Sequence, residues 1–112
     1  MERKIYRRMR IYLNESDMLG EKALYLILLE QLRRNEIRGA TVIRALTGYG
    51  QHGKVRPIGS LKENHMPLII EAVDEPEKIH HILPIIEHLA QDANCGVLIT
   101  TETVEAVRIQ SY

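Results

Sequence analysis

Thr41-Val42-Ile43-Arg44-Ala45-Leu46-Thr47 runs directly into Gly48-Tyr49-Gly50-Gln51-His52-Gly53, a G-x-G-x-x-G pattern behind a strand-like run. In a dinucleotide-binding fold the last glycine of that pattern opens a helix whose N-terminus holds a pyrophosphate. Here Lys54-Val55-Arg56-Pro57-Ile58-Gly59 follows, and its proline and further glycine leave no helix start. The stretch therefore reads as a glycine-rich, basic loop leaving a strand. Backbone N–H groups in such a loop can come close to an anion, with Lys54 and Arg56 supplying charge. The same residues also fit a plain connection with ordinary turn glycines, so the decision falls to the rest of the chain.

Upstream of the loop, Ile5, Met9, Ile11 and Leu13 repeat with a period of two broken by Arg7, while Tyr6, Arg8, Arg10 and Tyr12 take the other face. Lys4 to Leu13 is the first expected strand. Asn14-Glu15-Ser16-Asp17 is rich in capping side chains, and Glu21 to Asn35 has strong helix formers, no proline, and Arg33 and Arg34 near its negative C-terminal end. The apolar residues from Ala23 to Leu32 wrap more than one stripe of that helix, which points to self-association. Gly39 is the expected stop, and Thr41 to Thr47 the second strand.

The connection from Gly48 to about Met66 is close to twenty residues long, and loops of that length in compact domains usually bind or recognise something. Pro67 to Val73 reads as a third strand with its proline at the permitted first position. Asp74-Glu75-Pro76-Glu77 begins a second helix, with Pro84 expected to kink it or shorten its first half. It ends near Asp92-Ala93-Asn94. Gly96 to Thr101 and Val104 to Ile109 give a fourth strand with a short fifth piece or an extension. The order β-α-β-β-α-β is the α+β, ferredoxin-like arrangement, an antiparallel sheet with two helices on one face. Its other face is left to solvent or to another chain.

The 112 residues form one domain, 1–112, long enough to bury roughly two thirds of the unfolded surface. Fifteen Lys plus Arg balance fifteen Asp plus Glu, which argues against a nonspecific nucleic-acid binder. Locally, Arg3, Lys4, Arg7, Arg8 and Arg10 crowd the first strand. An RNA-recognition module would need aromatic rings on its central strands, yet the chain has no Phe or Trp. The single cysteine, Cys95, has no partner for an internal disulfide, and the N-terminus has no signal-like apolar segment, so a reducing cytoplasm is expected. The longest apolar run, Ala23 to Leu29, is far short of the roughly 20 residues of a membrane span.

No nucleophile with a neighbouring base stands out, and Cys95 reads as an incidental thiol. Glu71 and Glu102 could approach across a sheet, but read better as partners of Arg8, Arg10, Arg44 or Arg108. His80, His81 and His88 share the second helix; His81 and His88 lie about 10 Å apart along its axis, too far for one ion. His52 and His65 bracket the loop. No catalytic role and no metal are expected.

Glu15-Ser16-Asp17, Gly20, Leu24-Tyr25, Gly39-Ala40-Thr41-Val42-x-Arg44, Gly48-Tyr49-Gly50, and Val73-Asp74-Glu75-Pro76-Glu77-Lys78-Ile79 before Leu83-Pro84 resemble an uncharacterised branch of the PII-like signalling proteins. The resemblance runs from about Arg7 to Ile109. It implies a homotrimer that binds an adenine nucleotide in clefts between subunits and reports ligand state through the loop after the second strand. Carried over, Gly48, Tyr49, Gly50 and Gln51 match the segment lining the nucleotide, Lys54 adds charge, and Arg108 matches an arginine that reaches the phosphates.

Two departures count. Asp92-Ala93-Asn94-Cys95-Gly96 is shorter than the glycine- and lysine-containing loop of true PII proteins, and Gln110 stands where a second arginine is expected. Fewer cations imply AMP or ADP rather than ATP as ligand. No tyrosine lies between Gln51 and His65 for a uridylylation-type modification. The implied partner is a protein docked by the loop, a membrane protein among the candidates, without membrane insertion or nucleic-acid binding by the chain itself. A trimeric divalent-metal protein of the copper-tolerance type and a ligand-free docking adaptor are the alternatives.

Overall fold

In the computed structural model, which describes residues 3–50, 55, 57–60 and 65–110, the elements run β1 (Arg3–Asn14), β2 (Met18–Leu19), β3 (Lys22–Ala23), α1 (Leu24–Arg34), β4 (Thr41–Arg44), β5 (Pro67–Asp74), α2 (Pro76–Ala93) and β6 (Leu98–Val107). Strand β1 pairs antiparallel with β5 on one side and β6 on the other, and β4 adds to β5, giving the order β4-β5-β1-β6. Both α1 and α2 lie on one face. Met9, Ile11, Leu68, Ile70 and Ala72 point into that layer and meet Leu24, Leu28 and Leu32 of α1 and Ile79, Ile82 and Ile86 of α2. Fully burying each of these Leu, Ile and Met side chains contributes about 1.5–3 kcal/mol before conformational entropy is set against it. The ferredoxin-like order read from the sequence is the order found.

Several local expectations are corrected. Helix α1 begins at Leu24, not Glu21, because Gly20 at φ +62° turns the chain into the small β2–β3 ribbon first. The capping side chains of Asn14 to Asp17 close the turn after β1: Asn14 N–H donates to Asp17 Oδ2 and Ser16 N–H to Asn14 Oδ1. Gly39 does not stop α1. Glu36, at φ +63°, does so in a left-handed conformation usually left to glycine, with Ile37 N–H donating to the Leu32 carbonyl and Glu36 N–H to that of Arg33. Of the two effects expected of Pro84, a kink or a shortened first half, the shortening is not found, since α2 runs through it for 18 residues. Strand β4 stops at Arg44 rather than Thr47, and β6 is one continuous strand, the extension of the two readings.

Asp74, at the end of β5, is the one buried polar or charged residue among the described residues. Its carboxylate accepts from the Arg38 backbone N–H, the Arg38 guanidinium and the Glu75 N–H, tying the α1–β4 connection to the start of α2. Burial pushes its pKa up, but these hydrogen bonds and the Arg38 charge outweigh burial and hold it below the ordinary aspartate value. A depressed folded-state pKa contributes stability above the unfolded pKa of about 3.9 and loses it as pH falls through the folded value. Asp74→Asn should therefore lower stability by roughly 1.5–3 kcal/mol at pH 7. In denaturant melts the gap to the parent chain should close as pH drops below about 4; a gap independent of pH would show that packing, not charge, sets the loss.

Candidate functional site

Two regions carry the residues singled out in the sequence. The first is the base of the glycine-rich loop, where β4 ends beside the start of β5. Ala45 N–H donates to the Pro67 carbonyl at 2.8 Å, which joins the two ends of the loop to each other, and Glu15 N–H donates to that of Met66 at 2.9 Å, which ties the far end to the turn that follows β1. Arg44 grips the Glu15 carboxylate through Nη2 at 2.8 and 2.9 Å and through Nε at 3.1 Å. Gly48 lies against Pro67, and a Cβ there would sit 3.7 Å from Pro67 Cγ, an ordinary contact. Among the described residues a Cβ at Gly50 would meet nothing within 4 Å, and neither glycine has a positive φ. The described part of the fold thus makes no demand for glycine at 50. Tyr49 between them is 72% exposed.

Gln51 and Lys54 lie outside the described residues, as do His52, Gly53 and Arg56. Further along, Pro57 to Ser60 form a turn closed by Ser60 N–H on the Pro57 carbonyl, with Gly59 at φ +87°, so among the described residues no helix follows the glycine pattern.

The second region is the far end of the sheet. Arg108 follows β6, and its guanidinium lies over the buried Tyr6 ring at 5.1 Å while Nη2 donates to the Val73 carbonyl at 3.1 Å. Tyr6 sits on the face away from the helices, since it alternates with Met9 and Ile11 along β1. Arg108 therefore stands on that open face, a cation with its stem packed and its fork fixed. Sequence reading missed both anchors, Tyr6 for Arg108 and Glu15 for Arg44. Glu15 and Arg44 both belong to the motifs quoted for the resemblance, so that signal was present; Tyr6 gave none beyond its alternation.

Within one chain the described residues of the two regions do not meet. Pro67 marks one and Val73 the other, six residues of extended strand apart, roughly 20 Å at about 3.3 Å per residue. The open face between them is ordered in rows set by strand register. Ile43, Ile69, Tyr12 and Leu98 form one apolar row across all four strands, with Ile43 and Leu98 45% and 61% exposed. Beside it, Arg10 pairs with Glu71 at 2.8 Å and Arg8 with Glu102. The Arg8 hydrogen bond draws the Glu102 carboxyl below its usual range. The two carboxylates are thus partners of arginines on either side of β1, not an acid pair.

Cys95 is half-buried, and burial, with Asp17 nearby, pushes its thiol pKa up, the wrong direction for a nucleophile. Among the described residues no three His, Cys, Asp or Glu side chains gather as a metal-binding group, and no helix is long and apolar enough to cross a membrane.

Known proteins share this architecture. CPII of Thiomonas intermedia K12, a nitrogen regulatory PII-like protein bound to ADP, AMP and bicarbonate, matches with a TM-score of 0.75 over 96% of this chain and 92% of its own, at 16% identity. A putative PII-like signaling protein of Thermus thermophilus matches at 0.67 over 96% and 94%, at 20% identity. In sequence, a UPF0166 protein of Aquifex aeolicus (strain VF5) is 33% identical over 88% of this chain and 90% of its own. A UPF0166 protein of Methanocaldococcus jannaschii is 36% identical over 84% and 85%. The ferredoxin-like fold is therefore of the PII-like kind, and, with residues 6–106 matching the family described as "Uncharacterized ACR, COG1993", the chain belongs to the DUF190 family.

Proposed function

We propose that the protein is a PII-like nucleotide-responsive regulator, not an enzyme, which binds an adenine nucleotide in clefts between the subunits of a homotrimer. The observation that carries this reading is the separation of the two regions. The glycine loop base and Arg108 lie at opposite ends of one sheet, so they can serve one ligand only if two chains supply them. The apolar row Ile43-Ile69-Tyr12-Leu98 on the open face supports such an assembly, because a monomer would leave it in water. That the Thiomonas protein of the same fold holds ADP and AMP supports the ligand class.

In this reading Gly48, Tyr49, Gly50 and Gln51 lie along the nucleotide, Lys54 adds charge, and Arg108 of the adjoining chain forks onto a phosphate. The Arg44–Glu15 clamp holds the loop base still while the loop beyond it changes conformation. Contacts made in only one loop conformation bias the loop toward it, and a protein target reads the result. With Gln110 in place of a second arginine and a short α2–β6 connection, AMP or ADP is favoured over ATP.

Calorimetric titration tests this directly. AMP or ADP should bind more tightly than ATP, since each missing charge-assisted contact removes about 1.5–3 kcal/mol; tighter ATP binding would refute the preference, and no adenine nucleotide binding would refute the reading. Arg108→Ala should bind at least about tenfold more weakly, about 1.4 kcal/mol, with the oligomer intact by light scattering. Unchanged affinity would remove Arg108 from the site. Gly50→Ala should melt with the parent chain, since its new methyl meets nothing among the described residues, yet bind nucleotide more weakly; equal binding would take Gly50 off the ligand.

A further inference from the structure

Arg7 differs from most arginines of this chain. Arg3, Arg8, Arg10, Arg34, Arg38 and Arg44 each lie within 4.0 Å of a carboxylate. Arg7 is half-buried on the helix side of the sheet, and among the described residues no carboxylate pairs with it. Its Nη1 donates to Thr103 Oγ1 at 3.1 Å and its Nη2 to Thr101 Oγ1 at 2.7 Å, while Nε is closed off from solvent with no acceptor. Carboxylates are present nearby. Asp74 stands opposite Arg7 in the strand register, but is taken by Arg38 and the Glu75 N–H. Glu105, two residues beyond Thr103, turns to Arg3. A partly desolvated guanidinium without a counter-charge is unfavourable by itself and attracts an anion.

The two threonines convert that charge into a directed site. Each hydroxyl oxygen accepts from Arg7, so its own proton points elsewhere, and among the described residues neither proton has an acceptor. Thr101 lines an open cleft of about 590 Å³ between α2 and β6, together with Leu83, Glu87, Gln91, Cys95 and Val97. Among the described residues strand β6 has β1 as its one neighbour, so half its backbone N–H groups also point outward beside these hydroxyls. Arg108 belongs to the other face of the sheet, with Tyr6, and plays no part here.

We propose that the Thr101 end of this cleft is a second ligand site, separate from the nucleotide cleft, for a small oxyanion or the acidic end of a larger molecule. Thr101 and Thr103 donate their hydroxyl protons to a phosphate or carboxylate oxygen, and Arg7 behind them supplies the balancing charge. Glu87 on the cleft wall limits how much negative charge the site accepts.

The test follows the Thr101 and Thr103 amide resonances of the isotopically labelled full chain during titration with sodium phosphate and, separately, sodium formate, against sodium chloride at equal ionic strength. Saturable shifts with an oxyanion and not with chloride are expected; a phosphate response assigns a phosphoryl ligand and a formate response a carboxylate. Arg7→Met should weaken the response at least tenfold. Thr103→Val, at an exposed position where folding is not at risk, should also weaken it. Shifts that track chloride, or that persist in both variants, would overturn the proposal. So would AMP alone moving the same two amides in a manner lost in Arg108→Ala, because the site would then be part of the nucleotide cleft.

Discussion

The structure depends on the register of β1 between its two neighbours. Eight residue pairs tie it to β5 and ten to β6, and every one joins residues far apart in sequence. Side chains alternate between faces with a period of two, so a slip of one residue would turn Met9, Ile11 and Leu13 out of the core and put Arg8 and Arg10 into it. The hydrophobic layer under α1 and α2 and the charged rows on the open face are thus two readings of one constraint. The β-α-β-β-α-β order follows from it too, because β5 and β6 can flank β1 only if each βα crossover passes over a strand.

The same register explains how so basic a strand sits in a chain without net charge. Arg8 faces Glu102 across one side of β1, Arg10 faces Glu71 across the other, and Arg3 reaches Glu105. Each pair is partly or largely exposed and adds little stability alone. Together they fix pairing, because a wrong register sets like charges or apolar groups against each arginine. They also neutralise three of the five cations that the first ten residues carry, which breaks up the basic patch those residues suggest. Arg7 stands outside this scheme because its side chain shares the helix face with Met9, where the neighbours on β6 are Thr101 and Thr103.

Much of the fold was legible because its strands alternate cleanly and its helices carry familiar starts, as at Pro76. The misses share one cause, local chemistry read without its tertiary context. Asn14 to Asp17 have the composition of a helix cap, yet the chain uses them to close a turn, since the hydrogen-bonding groups of such side chains serve turns and caps alike. Glu36 was passed over for Gly39 because a left-handed residue at a helix end is usually glycine; burial of Ile37 beside Leu32 and the Lys78 hydrogen bond to the Glu36 carbonyl hold it there. Pro84 sits on the exposed side of a helix whose other side is buried, so the packing of Ile79, Ile82 and Ile86 outweighs the lost backbone hydrogen bond. Candidate site residues could be named one by one from the sequence, but their placement at opposite ends of β5 could not, because it follows from sheet order rather than from any local motif.

That placement couples assembly to ligand in the proposed mechanism. A ligand bound by two chains favours the associated state by its own binding free energy, and association in turn completes the site. The clamp of Arg44 on Glu15 then has a specific use. It joins the loop base to the turn after β1, and β1 is the strand from which Tyr6 positions Arg108 at the far end. Each chain therefore holds its loop base and its arginine on one rigid strand, so a ligand spanning two chains draws on two such strands at once.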